Sequence, residues 1–196
     1  MSGRLSRQLA FLLEADKLKS IERRTPLADN SRLENSAEHS WHLTLAALTL
    51  AEHAPPGTDV AHAIRLAIVH DLVEIDAGDT FAYDPTHHAT KAARELAAAE
   101  RIFGMLPDDQ APQFRAWWDE FEAQDTPASR FANVLDRLQP LLLNMCAGGG
   151  SWVAHKVSRH QVLQRMDPIQ QWMPSAWPYV LDVIDRACRA GMIGDA

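Results

Sequence analysis

A chain of 196 residues, 46% of them apolar, is long enough for one domain with a sizeable core. Its formal charge of −7 argues against a nucleic-acid surface, whose affinity rests on Lys and Arg neutralising phosphates, but leaves room for a small anionic substrate held by a local cluster of positive charge. No stretch approaches the roughly 20 apolar residues of a membrane helix, Met1-Ser2-Gly3-Arg4 opens no apolar leader, and Cys146 and Cys188 form no CxxC pair; a cytoplasmic protein with reduced structural thiols is expected.

Almost every segment carries helical periodicity. Residues 6–21 place Leu9, Leu12, Leu13 and Leu18 near helical spacing, and a polar loop holding Arg23, Arg24 and Arg32 follows. Asn35 with Glu38 three residues on reads as a capping box. It opens a second helix through His39, Trp41, His42, Leu45 and Leu48 to Ala54, ended by Pro55-Pro56-Gly57. Thr58 or Asp59 caps a third helix through Leu66, His70 and Leu72 to about Ile75; Gly78 breaks it, and Asp79–Pro85 is a loop.

An Ala- and Glu-rich fourth helix runs from Thr86 to Gly104, and a fifth, with Trp117, Trp118 and Phe121, starts at Pro107-Asp108. Thr126-Pro127 starts a sixth, carrying Phe131, Val134, Leu135, Asp136, Leu138 and Leu142, with Pro140 expected to kink it. Gly148-Gly149-Gly150 closes it. A loop with Trp152 and His155 leads to helices over 158–171 and 175–190, the last followed by Gly191 as a C-cap. With no strand alternation in view, the fold class is all-α: one domain, a helical bundle over about 6–147 with a C-terminal helical extension over about 158–190.

The stretch His70-Asp71-Leu72-Val73-Glu74-Ile75-Asp76-Ala77-Gly78-Asp79 concentrates groups a packed core does not need. On a continuous helix His70 and Glu74 share a face one turn apart, and Asp71 points about 100° away, so His70 and Asp71 can reach one ion with Glu74 beside it to hold a water. Mixed imidazole and carboxylate ligands suit Mn, Co, Fe, Ni or Zn better than Ca or Mg. A bare His-Asp pair is nevertheless more often a solvated helix end. His39 alone is a half-buried helix histidine, with His42 at i+3 better read as packing or outer support than as ligand. Asp136, set among Val134, Leu135, Leu138 and Leu141, is costly to bury unless paired with an arginine, such as Arg137, or bound to a metal.

His39, then His70-Asp71, then Asp136, each on its own helix, is more specific than any one of them. This order resembles the HD-domain metal-dependent phosphohydrolase superfamily. The local stretches Leu18-Lys19-Ser20-Ile21-Glu22-Arg23, Glu34-Asn35-Ser36-Ala37-Glu38-His39-Ser40 and His70–Asp79 resemble its 5′-deoxynucleotidase branch. The resemblance implies one divalent metal ion held by His39, His70, Asp71 and Asp136. It implies that Glu74 positions or deprotonates the attacking water, that Asp79 acts as acid or substrate contact, and that Arg23 grips the phosphate. It also implies a homodimer, for which the fourth helix and the paired tryptophans offer surfaces.

Deoxyribose-selecting members of the branch commonly place Trp after the phosphate-binding Arg. Here Arg24-Thr25-Pro26 follows Arg23, so the resemblance does not extend to exclusion of a 2′-hydroxyl. His155 and the Gly148–Trp152 loop lie outside it: they could close over substrate or simply turn the chain. His87-His88 is adjacent rather than a turn apart, which speaks against a second metal. The expected activity is removal of the 5′-phosphate from a nucleoside monophosphate. One alternative is hydrolysis of a pyrophosphate or guanosine alarmone, against which Ile75 separates Glu74 from Asp76; another is an inert nucleotide-binding protein, against which every matched acid and histidine is present.

Overall fold

The computed structural model of the chain describes residues 3–194, with the side chains of residues 85–89 outside that description; His87 and His88 therefore lie outside the described residues, as do Met1 and Ser2. The fold is helical throughout, apart from one small sheet. Helix α1 spans Arg4–Ala15 and runs into a 3₁₀ turn at Asp16–Ser20. Strands β1 (Glu22–Pro26) and β2 (Leu33–Asn35) pair antiparallel. Then come α2 (Ser36–Thr49), α3 (Val60–Val69), a 3₁₀ turn (His70–Val73), α4 (Glu74–Ala77), α5 (Pro85–Phe103), α6 (Ala111–Ala123), α7 (Pro127–Cys146), α8 (Gly150–Ala154), α9 (Arg159–Trp172) and α10 (Trp177–Arg189).

Local chemistry sets the boundaries. Asn35 caps α2 by accepting from Glu38 N–H while the Glu38 carboxylate accepts from Asn35 N–H, the reciprocal pattern expected. Thr126 and Ser129 cap α7 in the same way, with Pro127 at its first position. Pro140 lies inside α7 and has no N–H for the carbonyl of Asp136 one turn before it.

Two apolar clusters hold the elements together. The larger draws Leu43 from α2, Leu66 from α3, Phe131 and Leu135 from α7, Ile169 from α9 and Ile184 from α10, all fully buried. The last two helices thus share the interior of the earlier ones. Fully burying a side chain such as Phe131 contributes about 1.5–3 kcal/mol. The smaller cluster joins Phe11 and Leu18 to Val69, Leu72, Val73, Ile102 and Phe103. His70 lies at their seam: its chain neighbours belong to the smaller cluster, and its ring packs 4.5 Å from that of Phe121, a member of the larger.

Several expectations need correction. The polar stretch expected to be loop forms β1 and β2, because short, charged edge strands carry no period-2 apolar signal. Helix α3 ends at Val69, not near Ile75; the chain tightens into a 3₁₀ turn that buries His70, Asp71, Leu72 and Val73 together. Helix α6 begins at Ala111, after a turn in which Gln110 and Ala111 N–H both bond to Pro107 C=O. Trp152 stands in α8 rather than a loop and is 1% exposed. Leu9, Leu12 and Leu13, read only as lying at helical spacing, are 51–75% exposed; Phe11 and Leu18 take the buried positions.

The junction of β1 with the end of α7 is tight. A Cβ on Gly150 would stand 2.6 Å from Pro26 Cγ and 2.7 Å from Asn144 Oδ1, and its φ is +40°. Only glycine fits this approach, which fixes the strand carrying Arg23 and Arg24 against the core.

Candidate metal centre

Two helices and the 3₁₀ turn converge on one corner. His39 (α2), His70 and Asp136 (α7) each offer a ligand atom, all within 4.8 Å of one another. His39 Nε2 is 3.0 Å from Asp136 Oδ1, and His70 Nε2 is 4.0 Å from the same oxygen. Asp71 Oδ1 is 3.0 Å from His70 Nε2. His39, His70 and Asp136 thus form one group able to hold an ion, and Asp71 adjoins it through His70 while standing outside that group.

His70 tests whether a metal fits. Its Nδ1 donates to the carbonyl of Ala67 at 2.7 Å, which leaves the Nε2 lone pair outward. That Nε2 is buried and makes no hydrogen bond, because the neighbour its lone pair meets at 3.0 Å is a carboxylate oxygen of Asp71. An orphaned imidazole nitrogen aimed at two carboxylates and a second histidine suits a divalent cation.

Behind the ligands stands a supporting layer that sequence reasoning mostly missed. His39 Nδ1 is 3.0 Å from Gln139 Oε1, and Gln139 Nε2 donates to Glu34 Oε2 at 2.8 Å. The same amide nitrogen lies 3.3 Å from His42 Nδ1, so His42 supports the layer and is no ligand. Such partners hold a ligating ring in one tautomer and orientation. Glu34, 2% exposed in the middle of β2, stood in the sequence within the resembling stretch Glu34–Ser40 but without a role of its own. Asp136 does pair with an arginine, but it is Arg165 of α9, donating to Oδ2 at 3.1 Å; Arg137 instead bonds Asn133.

Arg23 crosses the site from β1. Its Nη1 donates to Asp71 Oδ2 at 2.8 Å and lies 3.8 Å from Asp79 Oδ1, while its Nε is 3.3 Å from Glu34 Oε1. Along a regular strand Arg23 and Arg24 would face opposite ways. Between Glu22↔Asn35 and Pro26↔Leu33 the register is irregular, with five residues on β1 against three on β2, and both arginines line the same cavity. Arg32 stays outside, paired with Glu38.

The acids divide by environment. Burial pushes the Glu74 carboxyl well above its ordinary range, with Asp71 and Asp79 adding to the effect against Arg23. Ser36 Oγ donates to Glu74 Oε2 at 2.6 Å. Burial likewise raises Asp79. Burial works to raise Asp71 too, but the neighbouring His70 and Arg23 outweigh it and hold Asp71 below the usual carboxylate range. Neighbouring carboxyls with opposed affinities for a proton mark an acid–base site. Asp76 turns away to a surface ion pair with Arg101, so no second acid adjoins Glu74 in the manner of the alarmone reading. The cavity over these groups measures about 120 Å³ and is also lined by Lys91, Tyr83, Arg165 and Trp152.

Comparison with known proteins agrees with this geometry. The HD domain family model matches residues 15–177. A 5′-deoxynucleotidase HDDC2 from Bos taurus is 30% identical over 145 residues, covering 72% of this chain and 69% of its own. A 5′-deoxynucleotidase from Yersinia pestis is 27% identical over 167 residues, covering 78% and 82%. The crystal structure of a predicted metal-dependent phosphohydrolase from Magnetospirillum magnetotacticum MS-1 superposes with a TM-score of 0.93 at 46% identity, covering 97% of this chain and 96% of that one. With a matching model across its core and its histidines and acids gathered at one corner, the chain belongs to the HD domain family.

Proposed function

We propose that the protein is a metal-dependent phosphomonoesterase that removes the 5′-phosphate from nucleoside monophosphates. The observation that carries this reading is the orphaned His70 Nε2 among His39, Asp71 and Asp136, with Arg23 and Glu74 on the rim of the same cavity. The relatives named 5′-deoxynucleotidase support the nucleotide as substrate. His39, His70, Asp71 and Asp136 hold the ion, and Mn, Co, Fe, Ni or Zn suits them. When bound, the ion neutralises phosphoryl charge and makes water a better nucleophile at neutral pH.

The chain's own residues do the rest. Arg23 offers a guanidinium fork to two phosphate oxygens, which binds and orients the group. Glu74, buried and with a raised proton affinity, accepts the proton of the attacking water, and Ser36 fixes which carboxylate oxygen faces it. Asp79, whose proton affinity burial also raises, delivers a proton to the departing 5′-oxygen. Arg24 stands where an aromatic would restrict the sugar, so ribose and deoxyribose are both accepted.

The chain works as a homodimer. Leu5, Leu9, Leu12 and Leu13 of α1 and Trp41, Leu45 and Leu48 of α2 form exposed stripes at helical spacing. Of the surfaces read from the sequence, the paired tryptophans carry less, since Trp118 is 6% exposed and Trp117 packs against the core. Both cysteines are free, and among the described residues no helix is long and apolar enough to cross a membrane, which supports a cytoplasmic location. The deciding experiment is phosphate release from a panel of ribo- and deoxyribonucleoside 5′-monophosphates with several divalent metals. Orthophosphate released with Mn or Co and lost with EDTA is the expected result. Turnover confined to added polyphosphorylated nucleotides with pyrophosphate as product, or binding of metal with no turnover, overturns the reading.

A further inference from the structure

A second cavity of about 320 Å³ opens beside the metal corner. The two share Arg24, Asp79, Thr80, Phe81 and Tyr83 as lining, so one extended molecule can occupy both. Beyond that shared wall the second cavity is lined by Asp84, His155, Val157 and Gln161. Apart from Arg24, Asp79 and Asp84 its lining is neutral or aromatic, where the first is crowded with acids and arginines.

Its wall is aromatic. The Phe81 and His155 rings lie 4.3 Å apart between centroids at 37°, and Tyr83 meets Phe81 at 5.4 Å, edge to face. Phe81 and Tyr83 pack against the large core cluster, and the Tyr83 side chain bonds that of Trp152, so the inner rings are held in place. His155 is exposed at the C-terminal end of α8, backed by Phe81. A supported ring presented to a cavity is a stacking platform for a flat heterocycle. Val157 and Gln161, whose Oε1 accepts from Ser158 N–H, complete the lining.

We propose that this cavity is the nucleobase subsite, with the base stacked on His155 over Phe81 while the 5′-phosphate lies at the metal corner. Arg24, on the wall between the cavities, faces the sugar. This rests on the phosphomonoesterase reading for the placement of the phosphate, and the test separates the two. The subsite is sequence-tolerant, because every base has a π-face, so it favours nucleotides over other phosphomonoesters without choosing among bases.

The experiment compares adenosine 5′-monophosphate with ribose 5-phosphate, which lacks only the base. The ratio of their kcat/KM values is expected to fall about tenfold in His155→Ala, the lower end of what one base–aromatic stack supplies, and to return in His155→Phe. An unchanged ratio in His155→Ala, or a wild-type enzyme that treats both alike, overturns the proposal. Adenosine binding, followed by saturation-transfer NMR, needs no turnover. If no phosphomonoester is hydrolysed, the phosphomonoesterase reading fails by itself. Adenosine binding weakened about tenfold in His155→Ala and restored in His155→Phe still supports the subsite; binding equal in all three proteins, or absent from all, removes it.

Discussion

Arg23 Nη1 and Asp71 Oδ2 form a 2.8 Å ion pair in which both side chains are nearly buried, at 12% and 9% exposed. The guanidinium proposed to grip the phosphate is thereby also the counter-charge of a proposed metal ligand. Arg23→Ala is expected to lower kcat/KM for any 5′-monophosphate by about 10²-fold or more, and also to destabilise the metal-free protein, since it strands Asp71 and Glu34. Breaking such a buried pair costs about 3–5 kcal/mol. Arg23→Lys keeps the charge but not the fork, and should recover stability better than turnover. Steady-state kinetics and thermal melts of the three proteins check this.

Metal binding should be visible without any substrate. At a hundredfold excess over its dissociation constant, Mn or Co stabilises by about 2.7 kcal/mol, which for a chain of this size raises Tm by roughly 5–10 °C. The rise should vanish in His70→Ala and Asp71→Ala. A full rise in either variant would remove His70 or Asp71 from the ligand set.

The His39 imidazole is raised from its ordinary value to about 9: burial and Arg23 work to lower it, but hydrogen bonds with Asp136 and Glu34 outweigh them. A raised histidine stabilises the fold fully below its unfolded pKa of about 6.5, and the contribution disappears as pH rises through 9. The EDTA-treated protein should therefore lose Tm between pH 7 and 9, and His39→Gln should flatten that loss. Ligation needs a neutral His39, so metal affinity should climb over the same window, with protons released into the buffer on calorimetric titration.

Glu74→Gln preserves shape and the Ser36 contact but cannot accept a proton. Turnover should fall about 10²–10⁴-fold while the metal-induced rise in Tm persists. Loss of both together would make Glu74 a structural residue instead.

The exposed leucines of α1 offer a test of assembly. Leu12→Glu with Leu13→Glu, at positions 62% and 75% exposed, should convert a dimer to a monomer by light scattering. A wild-type monomer sinks the homodimer directly.

Helix capping and apolar periodicity made most of the fold legible in advance. The capping boxes at Asn35 and Thr126 start α2 and α7 where the structure starts them, because these ends are decided by bonds within four residues. The 3₁₀ turn at His70–Val73 was not legible. It follows from tertiary packing that buries four consecutive residues, which no local propensity reports. The exposure of the α1 stripe was not legible either: periodicity shows that a helix has an apolar face, not what that face meets. At the site, the candidate ligands stood out because charged and imidazole groups on apolar helices are costly without a purpose. Glu34, Gln139 and Arg165 were not, since each acts through another residue contributed by a distant part of the chain.

Arg165 reaches Asp136 from 29 residues further along. A ribosome adding 5–20 residues per second makes the acid about 1.5–6 s before its cation. Until then Asp136 lacks this cation, so the charge balance of the corner is complete only once the C-terminal helices are in place.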